Sequence, residues 1–138
     1  MIQYLLDANV IIALLNKSSP SLSQRIRQCA PAETAISSIV LHELFYGAFK
    51  SQRTTQNVVL VESLQFEVLT FDQEDARHAG EIRAFLSLQV QPIGPYDVLI
   101  AGQAKARNLT LITRNIGEFS RVADLLVENW QSDQQFLP

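Results

Sequence analysis

The first 15 residues, MIQYLLDANVIIALL, consist of two apolar runs that are separated by a short polar break. The first run, residues 2–6, is typical of a short buried strand, and the second, residues 10–15, is typical of the first turns of a helix. Asp7 stands between them and is therefore predicted to lie at the carboxyl end of a strand. Ligands of open α/β sheets bind at that edge, so we take Asp7 as the first member of a candidate acidic metal site.

Strand-like and helix-like segments alternate along the chain, which predicts an α/β fold with a small parallel sheet of four to five strands between helices. We expect one domain over residues 1–138, with a polar tail at 131–138 that frays. The predicted strands lie at 2–6, 34–37, 66–69, 110–113 and 125–127. The first predicted helix begins at residue 10. Further helices are predicted at 21–29, 39–49, 52–64 and 97–105, and a long one runs from a cap at Asp72 to about residue 88. Residues 114–119 are predicted to form a loop.

The helix that follows Asp72 is predicted to be amphipathic. Its apolar side is expected to comprise Ala76, Ala79, Ile82, Ala84, Phe85 and Leu88.

Charge and cysteine content restrict the function classes. The net charge of −3 and the sequence pI of about 5.3 argue against a general basic nucleic-acid binder. They do not exclude a nuclease, because metal ions in an acidic site can meet phosphates locally. Cys29 is the single cysteine, so no disulfide forms within the chain and a cytosolic location is expected. No apolar run has the length of a membrane span, and no basic segment precedes the first run, so we expect neither a membrane anchor nor a signal peptide.

Two further carboxylates stand at positions that suit a site. Glu43 projects at the edge of the apolar arc of its helix, where a glutamate is unusual unless it is paired or binds a metal. Asp97 lies in the first turn of its helix and shares a stripe with Ile100, Ala101 and Ala104. The alternatives are structural: Asp7 and Asp97 would each favour a helix start, and Glu43 would reach water from the margin of the core.

Weaker candidates follow the strand at 110–113. Asn115 and Glu118 stand in the loop at its carboxyl end, at the same edge as Asp7. Several carboxylates at one edge repel each other unless cations fill the site. Oxygen ligands suit Mg²⁺ or Mn²⁺, and the corresponding chemistry is metal-assisted hydrolysis of a phosphodiester. We expect Asp7, Glu43 and Asp97 to converge within metal-bridging reach.

Four motifs, in order along the chain, resemble the PIN domain. They are LLDANV, ISSIVLHELFYGA, IGPYDVLIAGQA and LITRNIGEFSRV. The resemblance is to VapC-type toxins of bacterial type II toxin–antitoxin modules, and the last two motifs are similar to the enteric subgroup that cleaves initiator tRNA in its anticodon loop. It implies a three-layer sandwich and a Mg²⁺- or Mn²⁺-dependent endoribonuclease that forms a homodimer. It also implies inhibition by a cognate VapB-type antitoxin.

The resemblance also implies a ligand set. Asp7, Glu43 and Asp97 correspond to the family's acidic ligands, and the fourth position falls at Asn115 or Glu118. Two departures matter: Ala8 replaces a hydroxyl residue, and Asn115 stands where many members have aspartate, which bears on a second metal ion. Arg114, Lys50 and Arg53 are candidates for contact with RNA phosphates, although each also suits a solvated surface.

Aromatic residues and histidines are assigned less specifically. Phe45 and Tyr46 suit base stacking, but aromatic residues at helical spacing more often belong to a core or a dimer interface. His42 falls on the polar side of its helix and is expected at the surface. We expect homodimerisation through the helices around residues 39–64, because they carry more apolar faces than one thin sheet covers: Phe45, Phe49, Val58, Val59 and Val61.

Two rival hypotheses differ from a PIN nuclease. The first is a haloacid-dehalogenase-like phosphatase, which is disfavoured because it requires a second carboxylate two residues after the first, and this chain has Asn9 there. A catalytically weak PIN-fold module that only binds RNA or an antitoxin is compatible with Asn115. Magnesium-dependent cleavage of RNA distinguishes the second rival from a nuclease.

Overall fold

A five-stranded parallel sheet forms the centre of the computed structural model, which describes residues 1–131. The strand order is β3-β2-β1-β4-β5, and seven helices flank the sheet in a three-layer α/β sandwich. The strands are β1 Tyr4–Leu6, β2 Thr34–Ser37, β3 Glu67–Leu69, β4 Thr110–Ile112 and β5 Val127–Glu128. The helices are α1 Ala8–Asn16, α2 Pro20–Gln28, α3 Ser38–Lys50, α4 Thr54–Glu62, α5 Gln73–Leu88, α6 Pro95–Ala106 and α7 Ile116–Phe119.

The register places the first strand in the middle of the sheet. Tyr4 is level with Thr34 of β2 on one side and with Thr110 of β4 on the other. Leu5, Leu6 and their neighbours on β4 are fully buried, as expected for a strand that helices cover on both faces. Because the strands are parallel, the chain leaves β1, β2 and β4 at the same edge, and the residues that follow them meet there.

Most of the predicted elements are present, with differences at their ends. The strand at 34–37 has the predicted bounds, and Asp72 caps α5 by accepting from the backbone N–H of Asp75 at 3.0 Å. Ser37 caps α3 through its side chain. The predicted loop at 114–119 instead contains the short helix α7. Residues 132–138 of the predicted tail lie outside the described residues.

The predicted buried face of α5 is wrong in part. Ala79 and Ile82 are buried, but Phe85 is 48% and Leu88 is 82% exposed. The face that packs inward instead includes Asp75 and Leu86. The helix is turned this way because the buried carboxylate of Asp75 accepts hydrogen bonds from the Arg107 guanidinium at 3.2 and 2.9 Å and from the Gln103 amide at 3.0 Å.

Helices α5 and α6 approach closely at Gly102. A Cβ placed on this glycine would lie 2.6 Å from the backbone of Ala79, so only glycine permits the contact. This contact and the Arg107–Asp75 pair fix α6 against its neighbour, and α6 carries Asp97 at its other end. Among residues 1–131, every helix is too short or too polar to cross a lipid bilayer.

Candidate metal centre

Asp7 lies at the carboxyl end of the central strand and is 4% exposed. Its Oδ1 accepts from the backbone N–H of Ala8 at 2.8 Å, so it caps α1 as the structural interpretation predicts. Its Oδ2 accepts from the hydroxyl of Thr113 at 2.8 Å and from the amide of Asn9 at 3.3 Å. Burial raises the pKa of Asp7, although these hydrogen bonds oppose the rise. Asp7 therefore has both predicted roles: it caps α1, and it belongs to the acidic cluster.

Thr113 and Asn9 hold Asp7 in place, although the sequence pattern predicts neither of them as a site residue. The buried Thr113 hydroxyl donates to Asp7 and accepts from the backbone N–H of Asn115 at 3.0 Å and from the Asn9 amide at 3.3 Å. The Asn9 carbonyl oxygen accepts from the backbone N–H of Arg114 at 3.2 Å. The sequence does contain one indication of this role, because Thr113 is a hydroxyl residue at the end of a predicted strand, on the same edge of the sheet as Asp7.

Glu43 lies on α3 beside Asp7 and is partly buried. Its Oε1 is buried and has no hydrogen-bond partner among the described residues. Burial, together with the negative charges of Asp7 and Asp97, raises the pKa of Glu43 to about 7. Because this oxygen is buried, the alternative in which Glu43 reaches water from the margin of the core does not describe it.

Asp97 lies in the first turn of α6 and faces the same cluster. Burial is the main reason that its pKa rises to about 6, and the charges of Asp7 and Glu118 add to the effect. The predicted stripe behind it is present, since Ile100, Ala101 and Ala104 are fully buried. The carboxylate therefore heads a buried helix face and points toward the protein.

The two weaker candidates lie beside this cluster and bind each other. The Asn115 amide donates to Oε2 of Glu118, and Oε1 of Glu118 accepts from the backbone N–H of Gly94 at 2.8 Å. Glu118 thus connects α7 to the segment that leads into α6, where Gly94 would touch the Asp97 carboxylate if it carried a Cβ. Both Glu118 oxygens have protein partners, whereas Oε1 of Glu43 has none in the part of the chain that the structure describes.

The cluster suits an oxygen-preferring divalent cation. Three carboxylates, from the residue that follows β1, from α3 and from α6, repel each other, and one buried oxygen lacks a partner among residues 1–131. A bound cation relieves both conditions. Within residues 1–131, no group of three His, Cys, Asp or Glu side chains is already arranged to hold a metal ion. Convergence to bridging distance therefore stays a prediction for the cation-loaded protein.

The basic candidates are spread over the surface. Arg114 is exposed on the loop that follows β4, directly beside the acidic cluster. Lys50 is exposed at the far end of α3, seven residues or roughly 10 Å of helix from Glu43, and Arg53 is exposed at the start of α4. Lys50 places its Nζ 5.6 Å from the ring centre of Tyr46. Of the three basic residues, Arg114 is the one that a site residue holds at this edge of the sheet, through the hydrogen bond from its backbone N–H to Asn9.

Comparisons with known proteins agree on one family. A PIN domain model matches residues 4–125. The tRNA(fMet)-specific endonuclease VapC of Shigella flexneri is 39% identical over 132 residues, which cover 94% of this chain and 99% of that protein. The protein of the same name from Salmonella typhimurium is 38% identical with the same coverage. The crystal structure of DNA-bound VapBC from Salmonella typhimurium matches with a TM-score of 0.89 at 38% identity, covering 94% of this chain and 99% of that one.

Proposed function

This chain belongs to the PIN domain family, and we propose that it is a VapC-type endoribonuclease, the toxin of a toxin–antitoxin pair. PIN ribonucleases generally depend on a divalent metal ion. We propose Mg²⁺ or Mn²⁺ for this chain, held by Asp7, Glu43 and Asp97. The observation that carries the proposal is the buried, unpartnered Oε1 of Glu43 within a cluster of mutually repelling carboxylates.

Each residue of the cluster has a separate task in this proposal. A bound divalent cation lowers the pKa of an attacking water and neutralises charge on the phosphoryl group. Thr113 and Asn9 hold Asp7 in one orientation, because they occupy one side of its Oδ2. Glu118 holds the segment before α6, and so positions Asp97, through the backbone of Gly94. Glu43 supplies a buried oxygen for which no described residue competes as a hydrogen-bond partner.

The same arrangement predicts that the affinity for the cation rises with pH. Glu43, whose pKa is about 7, must release its proton before its carboxylate binds an ion. Below pH 6 the proton competes with the ion, and above pH 8 it does not. Isothermal titration with Mg²⁺ and Mn²⁺ at several pH values measures this competition.

We propose initiator tRNA as the substrate and a VapB-type protein as the inhibitor. The Shigella and Salmonella relatives are named tRNA(fMet)-specific endonucleases, and the similar solved structure is a VapBC complex. We also propose that the chain forms a homodimer through α3 and α4. On these helices Phe49 is 64% and Val59 is 58% exposed, which is unusual for large apolar side chains without a partner.

Cleavage assays test the proposed function. Purified chain is incubated with initiator tRNA, with elongator tRNAs and with total RNA, in Mg²⁺, in Mn²⁺ and in chelator. We expect cleavage of initiator tRNA with either metal, none in chelator, and none with Asp97→Asn. The rival hypothesis of a catalytically weak binding module predicts that RNA binds but remains intact in every condition.

A further inference from the structure

His42 and Tyr96 form an exposed pair of rings directly beside the acidic cluster. Their ring centres are 5.2 Å apart and their planes are inclined at 56°. Tyr96 is 46% exposed, and His42 is also exposed. The contact therefore joins two helices without placing either ring in the core. By contrast, the ring pair of Tyr4 and Trp130 packs against the core, where Trp130 is 4% exposed.

The position of the pair follows from the two helices that carry it. His42 immediately precedes Glu43 on α3, and Tyr96 immediately precedes Asp97 on α6. The Asp97 carboxylate is close enough to Glu43 that its negative charge raises the proton affinity of Glu43. Helices α3 and α6 therefore approach each other at two adjacent pairs of residues. One pair is the proposed ligands Glu43 and Asp97, and the other is the rings of His42 and Tyr96. A phosphate at the acidic cluster would place a neighbouring nucleotide next to these rings.

Resting on the proposed function, we propose that the His42–Tyr96 pair is a stacking site for an unpaired RNA base next to the scissile phosphate. Proteins that bind single-stranded RNA combine aromatic faces for bases with cations for the backbone. A second exposed ring, Tyr46, lies one turn after His42 on α3, and Lys50 lies against it. The exposed rings and this lysine form a path that leads away from the cluster and suits a single strand.

From the sequence alone, Phe45 and Tyr46 are the candidates for base stacking, and His42 is predicted to be a surface histidine. Phe45 is partly buried and packs against the core. His42 gains its role only through Tyr96, which is 54 residues further along the chain, and no local pattern shows that contact.

A cycle between protein and RNA variants tests the proposal. The probe is a stem–loop RNA with the anticodon loop of initiator tRNA, which the parent is expected to cleave in Mg²⁺, together with a series that carries one abasic nucleotide at successive loop positions. Tyr96→Ala is expected to lower kcat/KM on the intact RNA by roughly 5- to 100-fold, the range for loss of one stacking partner. At one abasic position the same substitution should cost less than about twofold, because the base that would stack is already absent.

Further variants separate stacking from general damage. His42→Ala should couple to the same nucleotide, and Tyr96→Phe should restore most of the activity because it retains the ring. The matched control is Phe85→Ala, which removes a similarly exposed aromatic ring on α5, in a cavity that it lines with Lys105 and Val122, and should change kcat/KM on no RNA. If the penalty for Tyr96→Ala is the same at every abasic position, the rings do not stack on a base and the proposal fails.

Failure of the proposed function gives a different result. If the parent cleaves neither these stem–loops nor initiator tRNA nor total RNA, the nuclease assignment fails, and fluorescence of a stem–loop that carries 2-aminopurine in its loop still decides the stacking proposal. Quenching by the parent that Tyr96→Ala removes supports the proposal. Equal fluorescence with the parent and with Tyr96→Ala overturns it.

Discussion

Replacing Glu43 with glutamine removes one negative charge from the acidic cluster and keeps the shape of the side chain. In the folded chain the pKa of Glu43 rises from 4.5 to about 7, mainly because of burial and then because of Asp7 and Asp97. The folded state therefore binds a proton more tightly than the unfolded state. Between pH 4.5 and 7 the folded chain holds more protons, so the parent loses stability as the pH rises through this window.

The magnitude follows from the change in pKa. A rise from 4.5 to about 7 corresponds to about 3 kcal/mol at 1.36 kcal/mol for each tenfold change in proton affinity. Glu43 keeps partial access to solvent, and screening reduces the value to roughly 1–3 kcal/mol. The carboxylates titrate as a coupled group, so the rise at Asp97 is not added to it. Without metal at pH 8, Glu43→Gln should therefore be more stable than the parent by roughly 1–3 kcal/mol.

Urea unfolding in chelator at pH 4.5, 6, 7 and 8 measures this difference. The advantage of Glu43→Gln should be small at pH 4.5 and should grow to its full size near pH 8. Saturating Mg²⁺ should reverse the order, because cation binding stabilises the parent more than the variant. Glu62→Gln on the exposed end of α4 is the control and should change stability by less than about 0.5 kcal/mol at every pH. A variant that is less stable than the parent at pH 8 in chelator would refute the reasoning.

Three further predictions concern the frame of the site and the assembly. Thr113→Val should lower the free energy of unfolding by about 1–3 kcal/mol and weaken Mg²⁺ binding in calorimetry, because Asp7 loses a buried donor, and Thr113→Ser should restore both. Gly102→Ala should destabilise by roughly 1–3 kcal/mol in thermal unfolding because its Cβ meets backbone, whereas Gly80→Ala on open helix surface should hold or raise the melting temperature. Phe49→Arg should give a monomer in analytical ultracentrifugation under conditions where the parent is a dimer; a parent that is already monomeric would contradict the proposed interface.

The parts of the fold that the sequence predicts are those that local patterns determine. The strand at 34–37, the cap at Asp72 and the helix start before Asp97 depend on residues within a few positions of each other. The carboxyl ends of parallel strands share one edge, so the meeting of Asp7 with the residues after β4 was also predictable. Topology alone brings these candidates together.

The remaining features depend on pairs that are far apart in sequence. Thr113 donates to Asp7 across 106 positions, and Glu118 accepts from Gly94 across 24. The orientation of α5 depends on Arg107, which makes burial of Asp75 favourable and turns an apolar ring outward. The hydrophobic periodicity of α5 does not predict which face is buried, because it indicates a purely apolar inner face. The Arg107–Asp75 ion pair instead places a carboxylate on that face.

The three carboxylates of the cluster differ in how firmly the fold holds them. Asp7 is held by three donors, and the segment before Asp97 is held by Glu118. Glu43 has one oxygen without a hydrogen-bond partner within residues 1–131, and its pKa is about 7. The pKa of Asp97 also rises, to about 6, so the cost of assembling an acidic site in a protein of net charge −3 falls on both Glu43 and Asp97. A cation that binds at the cluster removes this cost, so we expect the fully ionised folded chain to gain stability from the same ion that the proposed chemistry requires.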